Sequence, residues 1–261
     1  MRVAALYRYP VKGFTAEQCE TLTVIEGGRI AGDRVLGIRF ANAAISDDAW
    51  GTKHEFIALV NTPGLARLQV GFNDQTQRLR ISLQGKVLAD TALDDAGRKY
   101  VASVLKEYVL GLDVNPLSSR PDRLPLRVVG DGITPRFQDD EGGYVTLHGR
   151  QSLADVAAAS GVATLNEQRF RSNIAIDGLA AWKEQEWIGR TLRIGEVSFD
   201  VVDAKDRCIA THVDPLTGQR DLTIMKTLRE VFPCEKPTFA IAMTAGRGGS
   251  IYVGDKVELM H

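Results

Sequence analysis

Leu79, Ile81 and Leu83 alternate with polar residues, Gln84-Gly85 supplies a turn, and Val87 resumes the apolar pattern. Period-two alternation around a two-residue turn predicts a hairpin. The period then changes. Tyr100, Val101, Val104, Leu105, Tyr108 and Val109 recur at helical spacing, which predicts a helix over Asp95 to Leu110 that stops at Gly111. Asn115 to Pro125 carries three prolines among polar residues and is the best linker in the chain, with a surface loop as the alternative. It suggests two parts, 1–118 and 119–261. Beyond it lie an acidic, glycine-bearing loop (Gly130 to Gly143) and a short strand over Tyr144 to Leu147. A helix follows with Ser152 as N-cap, Asp155 in its first turn and Gly161 past its end. Leu192-Arg193-Ile194 and Val197, Phe199 and Val201 pair around Gly195-Glu196. Another helix is predicted from Leu222 to Phe232, and a final hairpin from Ser250 to Met260 turning near Gly254-Asp255. Strands outnumber helices and neighbouring strands read as hairpins. The expected fold class is mainly β (α+β), an antiparallel barrel or sandwich with peripheral helices.

Composition narrows the partners. The formal net charge is -1, so no basic excess points to nucleic acid or an anionic membrane, and an anion site has to be local. No apolar run approaches the roughly 18 residues of a spanning helix. The opening MRVAALYRYPVKGF is too briefly apolar for a signal peptide, so a cytoplasmic protein is expected. Cys19, Cys208 and Cys234 are odd in number and far apart, which suggests reduced thiols. With no CxxC pair, neither a structural zinc site nor an iron–sulfur cluster is expected within the chain. The glycine patterns of classical nucleotide-binding folds are missing too.

Three segments carry possible chemistry. Cys208 ends a predicted strand beside Arg207, and a neighbouring cation raises the thiolate fraction of a thiol. A thiolate is a soft metal ligand and a nucleophile. Taken by itself, the cysteine could equally be a buried structural one. Arg169, Arg171 and Asn173 would share one face of an extended strand, giving two guanidinium forks and an amide for a phosphate or polar ring, unless they are only a solvated face. Lys12-Gly13 and, later, Gly32-Asp33-Arg34 offer two cations and a glycine that lets backbone N–H groups approach an anion. Read separately, these are ordinary turns. Among the four histidines, His212 is the candidate acid–base group.

Together the segments resemble the MOSC domain family, the module at the C-terminus of molybdenum cofactor sulfurases. The resemblance rests on Arg171-Ser172-Asn173, the stretch Trp187 to Gly195, Arg207-Cys208 running through Thr211-His212-Val213-Asp214-Pro215-Leu216-Thr217-Gly218, and Gly254-Asp255. YPVKGF and Gly32-Asp33-Arg34 resemble the β-rich domain that precedes MOSC in mitochondrial amidoxime-reducing components. The resemblance implies a bound molybdenum cofactor (Mo-molybdopterin), with Cys208 as metal ligand and catalytic residue, or as the sulfur carrier of a sulfurase. It implies Lys12, Gly13, Arg34, Arg171 and Asn173 around the pterin and phosphate, with Arg207 beside them. It implies reduction of a small-molecule N-hydroxylated or related N-/S-oxidised substrate. Electrons would come from a separate ferredoxin-, flavin- or cytochrome-type donor; in the sulfur-carrier alternative, the partner would be a pyridoxal-phosphate cysteine desulfurase. The chain departs from the family pattern at Asp206, Gly13 and Ser172, and has Phe239-Ala240 where a Phe-Gly pair is usual.

Overall fold

The computed structural model describes residues 1–231 and 236–260. In chain order the strands and α-helices are β1 (Arg2–Arg8), β2 (Glu17–Cys19), β3 (Thr21–Val24), β4 (Gly37–Arg39), β5 (Leu68–Asn73), β6 (Arg78–Leu83), β7 (Lys86–Ala92), α1 (Asp95–Leu110), β8 (Arg127–Val129), β9 (Val145–Gly149), α2 (Arg150–Ala159), β10 (Ile174–Asp177), β11 (Thr191–Ile194), β12 (Val197–Asp206), α3 (Ile224–Val231), β13 (Thr238–Thr244), β14 (Gly249–Tyr252) and β15 (Val257–Leu259). The fold is mainly β, as the alternation predicts.

Eight strands form one sheet in the order β15-β11-β12-β13-β9-β10-β1-β2. The chain entering β15 then returns to β1. Val3 N–H donates to Asp255 O at 2.9 Å and Val257 N–H to Met1 O at 3.0 Å, with an antiparallel bridge between Arg2 and Lys256. The sheet thus curves back on itself in barrel fashion and encloses Leu6, Leu147, Ile174, Ile176, Leu192, Phe199 and Met243. A second core lies between the β5-β6-β7 sheet and α1, built from Val70, Phe72, Leu79, Ile81, Val101, Leu105 and Val109. A third packs α2 and α3 through Leu153, Val156, Ile224 and Leu228 against Phe170 and Phe239. β1, β2 and β3 lie within residues 1–118, yet β1 pairs with β10 and β3 with β14, so the two parts share hydrogen-bonded strands.

The predicted hairpin is β6–β7. Gln84 (φ 50°) and Gly85 (φ 81°) both take positive φ, the conformation a tight two-residue turn requires. α1 runs as predicted and is capped by Asp94, whose side chain accepts from Gly97 N–H.

Five expectations are corrected. Not all neighbouring strands are antiparallel, because β9 and β10 pair in parallel across the α2 crossover. The last two strands are not a hairpin: β14 pairs with β3 and β15 with β11, so the turn at Gly254-Asp255 passes the chain between sheets. Ser152 is not an N-cap. The helix begins at Arg150, and Ser152 Oγ donates to buried Glu184 (2.6 Å), which also accepts from Gly149 N–H (3.2 Å). A distant carboxylate thus serves the helix start. Arg169 to Asn173 is no strand; Glu167–Phe170 is a 3-10 turn closed by Arg171 in the left-handed region, φ 55°. The helix predicted from Leu222 starts at Ile224; Phe232 and Cys234 lie outside the described residues.

Candidate active site

β12 is a long strand whose pairing to β13 slips twice, between Val201 and Asp203 and between Ala204 and Asp206. Such irregularities re-aim side chains at a sheet's end, and here they deliver Arg207 and Cys208 to a cavity of about 430 Å³. Opposite, Ala240 takes φ 70° within β13. The preceding carbonyl, Phe239 O, accepts from Arg207 Nε (2.8 Å) and Nη2 (2.5 Å), and Phe170 O accepts from Nη1 (2.7 Å). The guanidinium is locked by carbonyls alone, and burial lowers its pKa to about 10.

The half-buried Cys208 shares this cavity with Arg34, Lys53, Arg169, Arg171, Lys205, Arg207, Gln138 and Asp139. Tyr9 is buried beneath, with the Arg34 guanidinium 4.6 Å and the Arg171 guanidinium 4.4 Å from its ring centroid. Stacking on an aromatic face suits guanidinium and fixes both cations without neutralising them. Arg171 also donates to Phe14 O, and Arg34 to Arg171 O (3.2 Å) and Asp33 (2.5 Å). Burial, then Arg34, lowers the pKa of Arg171; for Arg34 the Asp33 carboxylate outweighs burial and raises it.

The residues singled out from sequence are sorted by this geometry. Cys208, Arg34, Arg171 and Arg207 line the main cavity. Gly13 lines a small annex that also touches Cys208; its φ is 79°, and a Cβ there would meet Ala58 at 2.6 Å. Lys12 is fully buried, and its ammonium donates to Phe137 O (3.0 Å), Gln138 O (3.1 Å) and Asp139 Oδ1 (2.9 Å). All three of its N–H bonds go to the cavity wall. Asn173 is buried away from the cavity, bonded to Thr146 and Tyr7 O. Arg169 is gripped by Asp221 (2.8 Å) and Asp214 (3.4 Å) and pins the loop after Cys208. It is not half of a free clamp with Arg171. His212 accepts from Met225 N–H at the start of α3 (3.3 Å) and stands outside the cavity lining; burial, then Arg220 and Arg169, lowers its pKa. Sequence reading missed Lys53, Lys205 and Gln138, which sit in loops or late in a strand without any motif.

A mainly β protein with a thiol facing a cationic cavity is the class that fold and site define. Residues 137–258 match the MOSC domain family. The mitochondrial amidoxime reducing component 2 of Bos taurus is 39% identical over 101 residues, 35% of this chain and 30% of that protein. The molybdenum cofactor sulfurase of Caenorhabditis briggsae is 40% identical over 73 residues, 28% of this chain and 10% of that protein. The matched segment thus spans less than a third of either relative. The crystal structure of the YuaD protein from Bacillus subtilis aligns over 99% of this chain and 94% of its own, at TM-score 0.43 and 12% identity. Among the described residues no helix is long and apolar enough to cross a membrane, and no group of three His, Cys, Asp or Glu is set to hold a metal by itself.

Proposed function

We propose that this protein binds the molybdenum cofactor and reduces small N-hydroxylated or related N-/S-oxidised molecules with electrons from a separate donor protein. One observation carries the reading. Cys208 shares its cavity with Lys53, Arg171 and Arg207, none of which has a carboxylate within ion-pair distance among the described residues. Cations gathered without carboxylate partners around a partly enclosed cavity favour an anion that joins them.

The donor set fits the cofactor. Cys208 supplies a soft thiolate, Arg34 and Arg171 supply donors for a phosphate, and buried Gln138 Oε1, which has no hydrogen-bond partner, offers an acceptor to a pterin N–H. Bound there, the cofactor would supply two-electron redox chemistry at molybdenum. The chain's own contribution is positional. Arg207 sits next to the thiol; Lys12 holds the Phe137–Asp139 wall; Tyr9 keeps two guanidiniums apart and aimed. Electrons would come from a ferredoxin-, flavin- or cytochrome-type partner.

The test is metal and pterin analysis of protein made in a cofactor-competent host, with amidoxime reduction measured using a chemical electron donor. Stoichiometric molybdenum and turnover are expected, and Cys208→Ala should abolish turnover. Wild-type turnover in that variant rejects the ligand role. The similarity to a molybdenum cofactor sulfurase favours a second reading, a sulfur-carrier role with a persulfide on Cys208 loaded by a cysteine desulfurase. Cyanide-labile sulfur at Cys208 without reductase turnover would select it.

A further inference from the structure

The cavity has an ammonium that no sequence motif marks. Lys53 belongs to a 3-10 turn, Lys53–Glu55, at the end of a long loop that follows β4. That loop is tied down from below: buried Arg39 donates to Ala49 O (2.9 Å) and to Ser46 O, and Trp50 Nε1 donates to Gln138 O (3.0 Å). Gly51 is buried too, where a Cβ would meet Ile45 at 2.4 Å. The anchored loop sets Lys53 against both the main cavity and its annex, beside Arg34, Arg171 and Cys208 in each. Every other lysine around this space is already engaged. Lys12 is saturated by two carbonyls and Asp139, and Lys205 pairs with Asp140 at 3.5 Å. Lys53 has no hydrogen-bond or ion-pair partner among the described residues.

We propose that Lys53, not Lys12, is the ammonium that binds a multiply charged oxyanion of the phosphate class in this cavity, acting together with Arg171 and Arg34. Charge accounting supports a dianion. Lys53, Arg171 and Arg207 are positive without a carboxylate partner, whereas the positive charge of Lys12 is already met by Asp139. Geometry supports it independently, since an ammonium with three committed donors cannot turn toward a new acceptor without leaving two buried carbonyls bare. The natural oxyanion is either the phosphate of the cofactor, in which case the assignment rests on the reading above, or that of an anionic substrate.

The experiment is calorimetric titration of cofactor-free protein with inorganic phosphate at low and moderate salt, on wild type, Lys53→Met and Lys53→Arg. Wild type should bind saturably, Lys53→Met about fivefold or more weakly with a shallower salt dependence, and Lys53→Arg close to wild type. Thermal melts check that the variants fold; Lys53 is a half-exposed loop residue, so its loss should leave the melting temperature unchanged. Equal affinity in wild type and Lys53→Met, or no saturable phosphate binding by wild type, overturns the proposal. The titration repeated on cofactor-loaded protein separates the two sources. Phosphate excluded by loading identifies the cofactor's phosphate, while phosphate still bound through Lys53 identifies an anionic substrate. A chain that acquires no pterin in any host would defeat the proposed function, yet the phosphate titration would still decide the role of Lys53.

Discussion

Tyr9 shows how one side chain can order a charged site. Its ring is buried between two guanidiniums, and its hydroxyl donates to Ser172 O at 3.3 Å. Both stacked arginines stand in the left-handed region, at φ 50° for Arg34 and 55° for Arg171, a conformation that costs about 1–2 kcal/mol for a residue with a Cβ. The surrounding contacts over-determine it, as is common where a site is preorganised. Burial pushes the Tyr9 phenol up to about 12. In the unfolded chain a tyrosine ionises near 10. The folded state therefore favours the neutral phenol, and its contribution is complete below pH 10 and lost as pH rises toward 12. Denaturant titrations from pH 8 to 11 should show an alkaline loss of stability. Over this range Tyr9→Phe should shallow that limb by a share of up to about 1.4 kcal/mol. An unchanged limb in the variant would mean that Tyr9 does not titrate with the fold.

Between elements, the tightest polar joint is Glu167. Its carboxylate accepts from Tyr7 on β1 (2.6 Å) and from Arg150 at the start of α2 through two nitrogens (both 2.9 Å), and it lies 3.5 Å from His148 on β9. Burial alone would raise its pKa, but His148, Arg150 and Tyr7 outweigh it and hold the carboxyl well below the usual range. The sign follows: a depressed carboxylate stabilises the fold at any pH above its unfolded value and ceases to as pH falls through the folded one. Glu167→Gln should cost about 3 kcal/mol at pH 7, as loss of one partner in a buried charged network does. The gap between variant and wild type should begin to narrow below roughly pH 4, where unfolded carboxylates protonate, and close only as pH falls through the folded value. Urea midpoints at pH 7 and pH 3 measure this, and a gap that persists undiminished at pH 3 contradicts it.

For the whole molecule, the question is whether the matched domain is self-sufficient. β1 sits inside the large sheet, between β10 and β2, and its first residues bond to the chain entering β15. Val3 and Leu6 belong to the core that β1 helps to close. A fragment of residues 119–261 would expose that seam and lose the Arg34 and Lys53 side of the cavity. We expect it to lack a cooperative unfolding transition and to aggregate through its open strand edges. A fragment with dispersed amide NMR signals and a sharp melt would show instead that the C-terminal part folds without β1.

By itself the sequence determined what depends on near neighbours. The β6–β7 hairpin, the α1 boundaries with their glycine stop, and the β11–β12 pair follow from period and turn chemistry, and Arg207-Cys208 was legible as a reactive pair because the two residues are adjacent. Tertiary structure decided the rest. Arg171 turned from strand to left-handed cap because the chain must leave a 3-10 turn and enter β10 within three residues. Lys12 and Lys53 look alike in sequence, two lysines in loops. Only the fold, by giving one two carbonyls and Asp139 and the other no hydrogen-bond or ion-pair partner among the described residues, distinguishes a cation engaged in the wall from one that faces the cavity. Hydrogen-bond satisfaction of that kind depends on residues more than a hundred positions away, and no local pattern encodes it.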